Sequence, residues 1–246
     1  MKGKVVVVTG AASGLGKACA GLLAERGAVV IGIDHRSADA PPGGGWETLD
    51  LREVEAIAPT LKRWAERYDG LDGFVNAAGV MDTRAFMEIT PADFDRVFEI
   101  NVRAGFFLLQ AAADEMARSG GGSAVLFSST AGRIGRPLAA HYAASKAATA
   151  SLAQSAALAL GERGIRVNAI SPGLIETPML EEIRAARTAL GADSPEAVRE
   201  EWETRIPLGR IGTPSDVAEV VAFLISDASE FVTGEDFGIH GGLLGS

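Results

Sequence analysis

One cysteine, Cys19, is all the chain holds in its 246 residues, so no disulfide can close within it. That fits a reducing compartment, and the cytoplasm is the expected location. Set among small apolar neighbours in GKACAGLL, Cys19 reads as a small buried hydrophobe on a helix. Long hydrophobic runs are missing too: no stretch approaches about 18 uninterrupted apolar residues, so no membrane span is expected. The opening MKGKVVVVTG is too short in apolar residues for the core of a signal peptide. Basic residues are in deficit, 23 Lys and Arg against 32 Asp and Glu, and they are scattered; the net charge is -9. Nucleic acid and anionic membrane surfaces are therefore disfavoured as partners, because phosphate binding draws on clustered Lys and Arg. Repeats and low-complexity segments are absent, and no metal site is expected.

What is present is a chain 47% hydrophobic, long enough for one large α/β core. Lys4 to Val8 reads as a buried strand, Gly14 to Arg26 as a helix, and Ala28 to Ile33 as a second all-apolar strand, which together make a βαβ unit. Strands recur near Gly73 to Val75, Ala124 to Phe127 and Val167 to Ile170, separated by helix-length segments, so a parallel sheet is implied. Three helix starts carry a cap with proline behind it: Thr90-Pro91 with Asp93, Ser194-Pro195, and Thr213-Pro214 with Asp216. Ala38 to Gly45 reads as a surface loop. From Thr177 to Leu208 the alternation breaks into charged helix without a strand, and this insert is a candidate lid, with Gly191, Ala192 and Asp193 as its hinge.

The first strand runs into TGAASGLG, which puts Gly10, Gly14 and Gly16 where the chain turns sharply and a ligand must approach the backbone. The helix that follows aims its free amides at that ligand, an anion site suited to a pyrophosphate. The spacing G-x-x-x-G-x-G departs from the usual G-x-G-x-x-G, but the strand-loop-helix context matches. Asp34 ends the second strand, 18 residues after Gly16 (34 minus 16), close to where an acidic residue holds a ribose 2′-hydroxyl. It predicts NAD over NADP, although Arg36 is close enough to answer a phosphate.

Tyr142 and Lys146 stand four apart in HYAASKAATA, on one face of a helix. A neighbouring ammonium favours the phenolate. Lowering the phenol by about three units needs roughly 4 kcal/mol, at 1.36 kcal/mol per unit. Ser129 closes the strand SAVLFSS, at the carboxyl end where open α/β sheets bind ligands. Asn101 sits in an otherwise apolar helical stretch, where a buried amide either ties down backbone or holds a water.

Together these residues resemble the short-chain dehydrogenase/reductase family, with matches in family order across nearly the whole chain: TGAASGLG, Asp50-Leu51, NAAG from Asn76 to Gly79, Asn101, Ser129, Tyr142-x-x-x-Lys146, Pro172-Gly173 and His240-Gly241-Gly242. The resemblance implies one Rossmann-type α/β domain over residues 1–246, a doubly wound parallel β-sheet flanked by helices, with a substrate lid over about 177–208. It implies an oxidoreductase that moves a hydride between a nicotinamide cofactor, NAD preferred, and an alcohol or ketone. Gly10, Ser13, Gly14, Leu15 and Gly16 would meet the pyrophosphate and Asp34 the ribose. Asp50 and Leu51 would meet the adenine, and Asn76, Ala77, Ala78 and Gly79 would line the cofactor floor. Pro172, Gly173, Ile175 and Thr177 would cradle the nicotinamide end. The catalytic tetrad would fall on Asn101, Ser129, Tyr142 and Lys146, the last two also touching cofactor, with Tyr142 as acid/base. The family often has two asparagines before the Ala-Gly pair, where Val75-Asn76 stands here, and aspartate in place of His240. Substrate-pocket residues are expected around Arg133 to Leu138 and Met179 to Ile183. A homodimer or homotetramer is implied, packed through helices near Asp93 to Ala117 and Tyr142 to Glu162 and the segment FGIHGGLLGS. The alternatives are a 3-oxoacyl thioester reductase, docking an acidic carrier through Arg118 and Arg163, and a catalytically idle nucleotide-binding regulatory protein on the same fold.

Overall fold

In the computed structural model, which describes residues 1–189, 191 and 194–244, seven strands form a single all-parallel sheet in the order β3-β2-β1-β4-β5-β6-β7. They are β1 (Val5–Thr9), β2 (Val29–Asp34), β3 (Gly45–Thr48), β4 (Gly73–Asn76), β5 (Gly122–Phe127), β6 (Ile165–Pro172) and β7 (Asp236–Ile239). The helices are α1 (Gly14–Glu25), α2 (Val54–Arg67), α3 (Pro91–Phe98), α4 (Gly105–Arg118), α5 (Ala140–Leu160), α6 (Pro178–Ala189), α7 (Pro195–Arg205) and α8 (Pro214–Ile225). The expected doubly wound parallel architecture is what the chain adopts.

The unbroken apolar runs in the strands follow from burial on both faces. Within β1, Val5 and Val7 join a core with Leu61 of α2, Leu108 of α4 and Ala153 of α5. Val6 and Val8 point the other way, to Leu23 of α1 and Val221 of α8. A third, smaller cluster of Leu180, Val198, Trp202 and Ile206 holds α6 and α7 together. This is how a segment with no strand keeps its shape. All three anticipated caps are present: Thr90 and Asp93 close a capping box on α3, Ser194 accepts from the Ala197 amide on α7, and Thr213 and Asp216 repeat the box on α8.

The edge strands β3 and β7 were not anticipated, being four residues each and too mixed in polarity to stand out from loop. Of the segment FGIHGGLLGS, expected to add to an interface, Phe237–Ile239 pair with β6. The helix expected from Asp93 to Ala117 is interrupted by a π-helical turn at Glu99–Ala104. Of the expected hinge, Gly191 has a left-handed φ of 105°, while Ala192 and Asp193 lie outside the described residues, as do the terminal Gly245 and Ser246. No helix among the described residues is long and apolar enough to cross a membrane.

Candidate active site

The strand order reverses between β1 and β4, and the loops leaving their carboxyl ends part there to open a crevice. Two cavities of about 400 Å³ each occupy it. They share Leu15, Ala77, Gly79, Thr177 and Met179, so they form one continuous cleft with an outer and an inner half.

The outer half is floored by the glycine loop. A Cβ on Gly16 would lie 2.2 Å from the Gly10 carbonyl oxygen, and one on Gly10 would lie 2.9 Å from the Ala78 amide nitrogen. Side chains are thereby excluded where β1 hands over to α1, and the backbone itself becomes the cleft surface. Ser13, the residue before α1, makes no side-chain cap, and the first turn of α1 has no acidic residue. Its amides therefore remain available to an anion. Asp34 is 5% exposed at the end of β2. One carboxylate oxygen accepts from the Ala12 amide at 3.1 Å; the other accepts from the Arg36 amide at 3.1 Å and Arg36 Nε at 3.3 Å. Arg36 also reaches across to Ser13 Oγ at 2.8 Å. Asp50 lies farther along the same wall, paired with Arg52, which brings its carboxyl down to about 2. Leu51 lines this half as well. A dinucleotide fits these features: a bare backbone cradle, an uncapped helix start and an acid placed one strand away.

The inner half contains Ser129, Tyr142, Lys146, Pro172, Gly173 and Ile175. Ser129 follows β5, with its Oγ accepting from the Ala131 amide at 3.1 Å. Its hydroxyl faces the same cavity as the Tyr142 phenol, whose ionised form it favours. Lys146 Nζ lies 5.7 Å from the centre of the Tyr142 ring and donates to the Phe127 carbonyl at 2.7 Å. Burial draws its ammonium down to about 8. The expected depression of Tyr142 is not seen in the chain alone. Burial pushes the phenol up and outweighs the opposing effects of the Ser129 hydroxyl and the Arg136 charge.

Two expected contacts sit behind the cleft instead of on its wall. Asn76 is 5% exposed and accepts a hydrogen bond from Thr9 Oγ1 at 2.7 Å, tying β4 to β1. Asn101 lies in the π-helical turn. Its Nδ2 donates to the Val80 carbonyl at 2.9 Å and to Ser145 Oγ at 3.0 Å, while its Oδ1 accepts from the Val80 amide at 2.8 Å. Of the two readings of a buried amide, the backbone tie is made by this side chain. Gly79 runs between Asn101 and Lys146, where a Cβ would approach Asn101 Oδ1 to 3.2 Å and Lys146 Nζ to 3.3 Å.

Of the expected pocket segments, Arg136, Pro137 and Leu138 line the inner half, as do Met179, Leu180 and Ile183, whereas Arg133 turns away to pair with Asp236. Arg187, Glu201, Trp202 and Arg205 of α6 and α7 were missed. The three-to-four residue spacing of Val198, Trp202 and Arg205 on α7 is the pattern that could have revealed them.

The family profile described as enoyl-(acyl carrier protein) reductase matches residues 10–244. The chain is 37% identical to a 3-oxoacyl-(acyl-carrier-protein) reductase of Thermotoga maritima, over 99% of each chain. It is also 37% identical to a cis-4-hydroxycyclohexanecarboxylate dehydrogenase of Sinomonas cyclohexanicum, over 97% of this chain and 96% of the other. Among solved structures, levodione reductase superposes with a TM-score of 0.92 at 32% identity, covering 100% of this chain and 99% of that one.

Proposed function

Because the chain belongs to the short-chain dehydrogenase/reductase family and is an oxidoreductase working with a nicotinamide cofactor, we propose that Tyr142 is its acid/base, that its substrate is a small alcohol or ketone, and that NAD is preferred over NADP. The observation that carries this reading is the single cavity that Ser129, Tyr142 and Lys146 line together. Bound, the nicotinamide supplies or accepts the hydride and, when oxidised, brings a positive charge.

The residues have the task of holding the substrate and moving its proton. Ser129 donates to the substrate oxygen and fixes it against Tyr142. The phenol gives up its proton to that oxygen in reduction and takes it in oxidation. Alone, Tyr142 is too strongly desolvated to ionise readily, so the deprotonated form depends on positive charge drawn close to it. Lys146 supports this from below the ring and binds the nicotinamide ribose. Asn101 holds the turn beside Lys146 in shape, and its remaining Oδ1 lone pair is where a water joining the lysine to solvent would attach. Gly10, Ser13, Gly14, Leu15 and Gly16 bind the pyrophosphate, Asp34 the ribose, Asp50 and Leu51 the adenine. Ala77, Ala78 and Gly79 form the floor, and Pro172, Gly173, Ile175 and Thr177 take the nicotinamide end. α6 and α7 form the lid over the substrate.

The preference for NAD rests on Asp34, whose charge repels a 2′-phosphate, and on Arg36, whose Nε is already engaged by that carboxylate. Residues Phe106 (46% exposed) and Leu158 (88% exposed), on α4 and α5, support a homodimer or homotetramer. The buried Cys19 thiol, pushed up to about 12 by desolvation, is unreactive, in keeping with a cytoplasmic setting. The Thermotoga maritima relative favours a second reading, a 3-oxoacyl thioester reductase. Against it, Arg118 and Arg163, the expected carrier-docking pair, both lie on Asp114, and Arg118 also on Glu115, so little free positive charge is left there.

Tyr142→Phe tests the main reading, since it keeps the ring and deletes the proton. Turnover should fall by roughly 10²- to 10⁴-fold with NAD affinity nearly intact. Near-normal turnover with any alcohol or ketone the wild type accepts would remove Tyr142 from the mechanism.

A further inference from the structure

The inner cavity carries a charge opposite to that of the chain. Among the described residues, three arginines, Arg136, Arg187 and Arg205, face it with one carboxylate, Glu201, in a chain whose net charge is -9. Glu201 is shared, 2.9 Å from Arg187 and 3.6 Å from Arg205. Arg136 is left over. It is half-buried, and among the described residues no carboxylate lies within ion-pair distance of it; the one partner of its guanidinium is Thr130 Oγ1, at 3.5 Å. Burial and the nearby charge of Arg205 both disfavour its charged form, so its surroundings repel the cation they hold.

A half-buried guanidinium with five donors and one long hydrogen bond costs stability unless something else completes it. An anion entering by this cavity would complete it and offset the unpaired charge. The cofactor's pyrophosphate does not meet the need, because Arg136 lines the inner half of the cleft and not the outer half floored by the glycine loop. The rest of the inner wall is mainly apolar, with Met81, Leu138, Met179, Ile183 and Trp202. A planar, singly charged carboxylate matches the guanidinium fork with two parallel hydrogen bonds and leaves the rest of the ligand to the apolar wall.

We propose that the substrate is a hydroxy acid or oxo acid with an apolar body, and that Arg136, with Arg205 of α7 beside it, binds its carboxylate while Ser129 and Tyr142 hold the reacting oxygen. This rests on the function proposed above. Arg136 would then choose and orient the substrate without taking part in proton transfer.

The test uses the full-length protein and the matched probes benzoate and benzamide, which have the same shape and differ in charge. Isothermal titration should show benzoate bound roughly 10- to 100-fold more tightly than benzamide, the range of one charge-assisted hydrogen bond. In Arg136→Met the preference should vanish while benzamide affinity stays as in wild type, which also shows that the pocket has kept its shape. Arg136→Lys should restore part of it. With 4-acetylbenzoate and 4-acetylbenzamide as ketone substrates, kcat/KM should divide the same way. Equal affinity for benzoate and benzamide, a preference that survives Arg136→Met, or tighter binding of phenyl phosphate than of benzoate would each overturn the carboxylate site. Absence of a benzoate preference together with loss of turnover in Tyr142→Phe would overturn this inference alone. A benzoate preference together with full turnover in Tyr142→Phe would overturn the proposed mechanism alone.

Discussion

Asp34→Ala removes three things at once, and they separate in measurement. The first is the proposed acceptor for the ribose hydroxyls. A charge-assisted hydrogen bond contributes about 1.5 to 3 kcal/mol, so at 1.36 kcal/mol per tenfold NAD should bind roughly 10- to 100-fold more weakly. The second is the repulsion of a 2′-phosphate together with the hold on Arg36 Nε. Its loss frees the guanidinium to answer that phosphate, so NADP affinity should stay level or improve. The third is the acceptor for the Ala12 amide. Ala12 is half-exposed, so water replaces part of that bond and the cost should lie near the lower end of about 1 to 3 kcal/mol. For a chain of this length that is about 2 to 4 °C of Tm. Asp34→Asn keeps an oxygen for Ala12 and deletes only the charge, so it should relax the cofactor choice with little thermal loss. Fluorescence titration with both reduced cofactors, beside scanning calorimetry, reads all three effects. If wild type shows higher kcat/KM with NADP, or if Asp34→Ala weakens both cofactors equally, Asp34 serves to shape the glycine loop and not to discriminate.

Lys146 should leave a mark on the pH dependence of stability. Its ammonium is drawn from 10.5 down to about 8 by burial, so between pH 8 and 10 the unfolded chain holds a proton that the folded chain has lost. The contribution of Lys146 to stability therefore rises with pH across that window, by up to an amount on the order of 3 kcal/mol over the full shift, while the buried Cys19 thiol, pushed up from 9.0 to about 12, works against it at the alkaline end. Urea unfolding of Lys146→Met at several pH values should lack this rise, and parallel curves for the two proteins would contradict the buried charge. For assembly, light scattering at micromolar concentration should give two or four times the 25.5 kDa chain mass, and a monomer would refute packing through α4 and α5. Backbone amides of α6 and α7 should exchange faster than those of β1 and β4 and slow when substrate and cofactor bind; exchange as slow as in the central strands and unchanged by ligand would rule out a lid.

Periodicity and local chemistry made much of this protein legible. The Val5 to Val8 run, the glycines beginning at Gly10 and the proline-backed caps at Thr90, Ser194 and Thr213 act within one strand, one loop or one helical turn, so neighbouring residues reveal them. The edge strands β3 and β7 escaped because a four-residue strand takes its identity from the strand it pairs with. The break at Asn101 escaped for a similar reason: a π-helical turn there is stabilised by Val80 and Ser145, which lie 21 and 44 residues away.

At the site, the order of residue types along the chain determined the family, the cofactor class and the candidate tetrad, since each motif is a short string with its own chemistry. Tertiary structure decided matters that depend on distance through space. It put Asn76 and Asn101 behind the wall and not on it. It raised the Tyr142 phenol, which the four-residue spacing to Lys146 had predicted would fall, because desolvation acts from every side of a group while sequence spacing counts one neighbour. It also brought Arg136 and Arg205, 69 residues apart, to one cavity in a chain rich in acid. Net charge is a sum over the chain, whereas a substrate meets only the charges that folding leaves facing it, and that arrangement is set by packing alone.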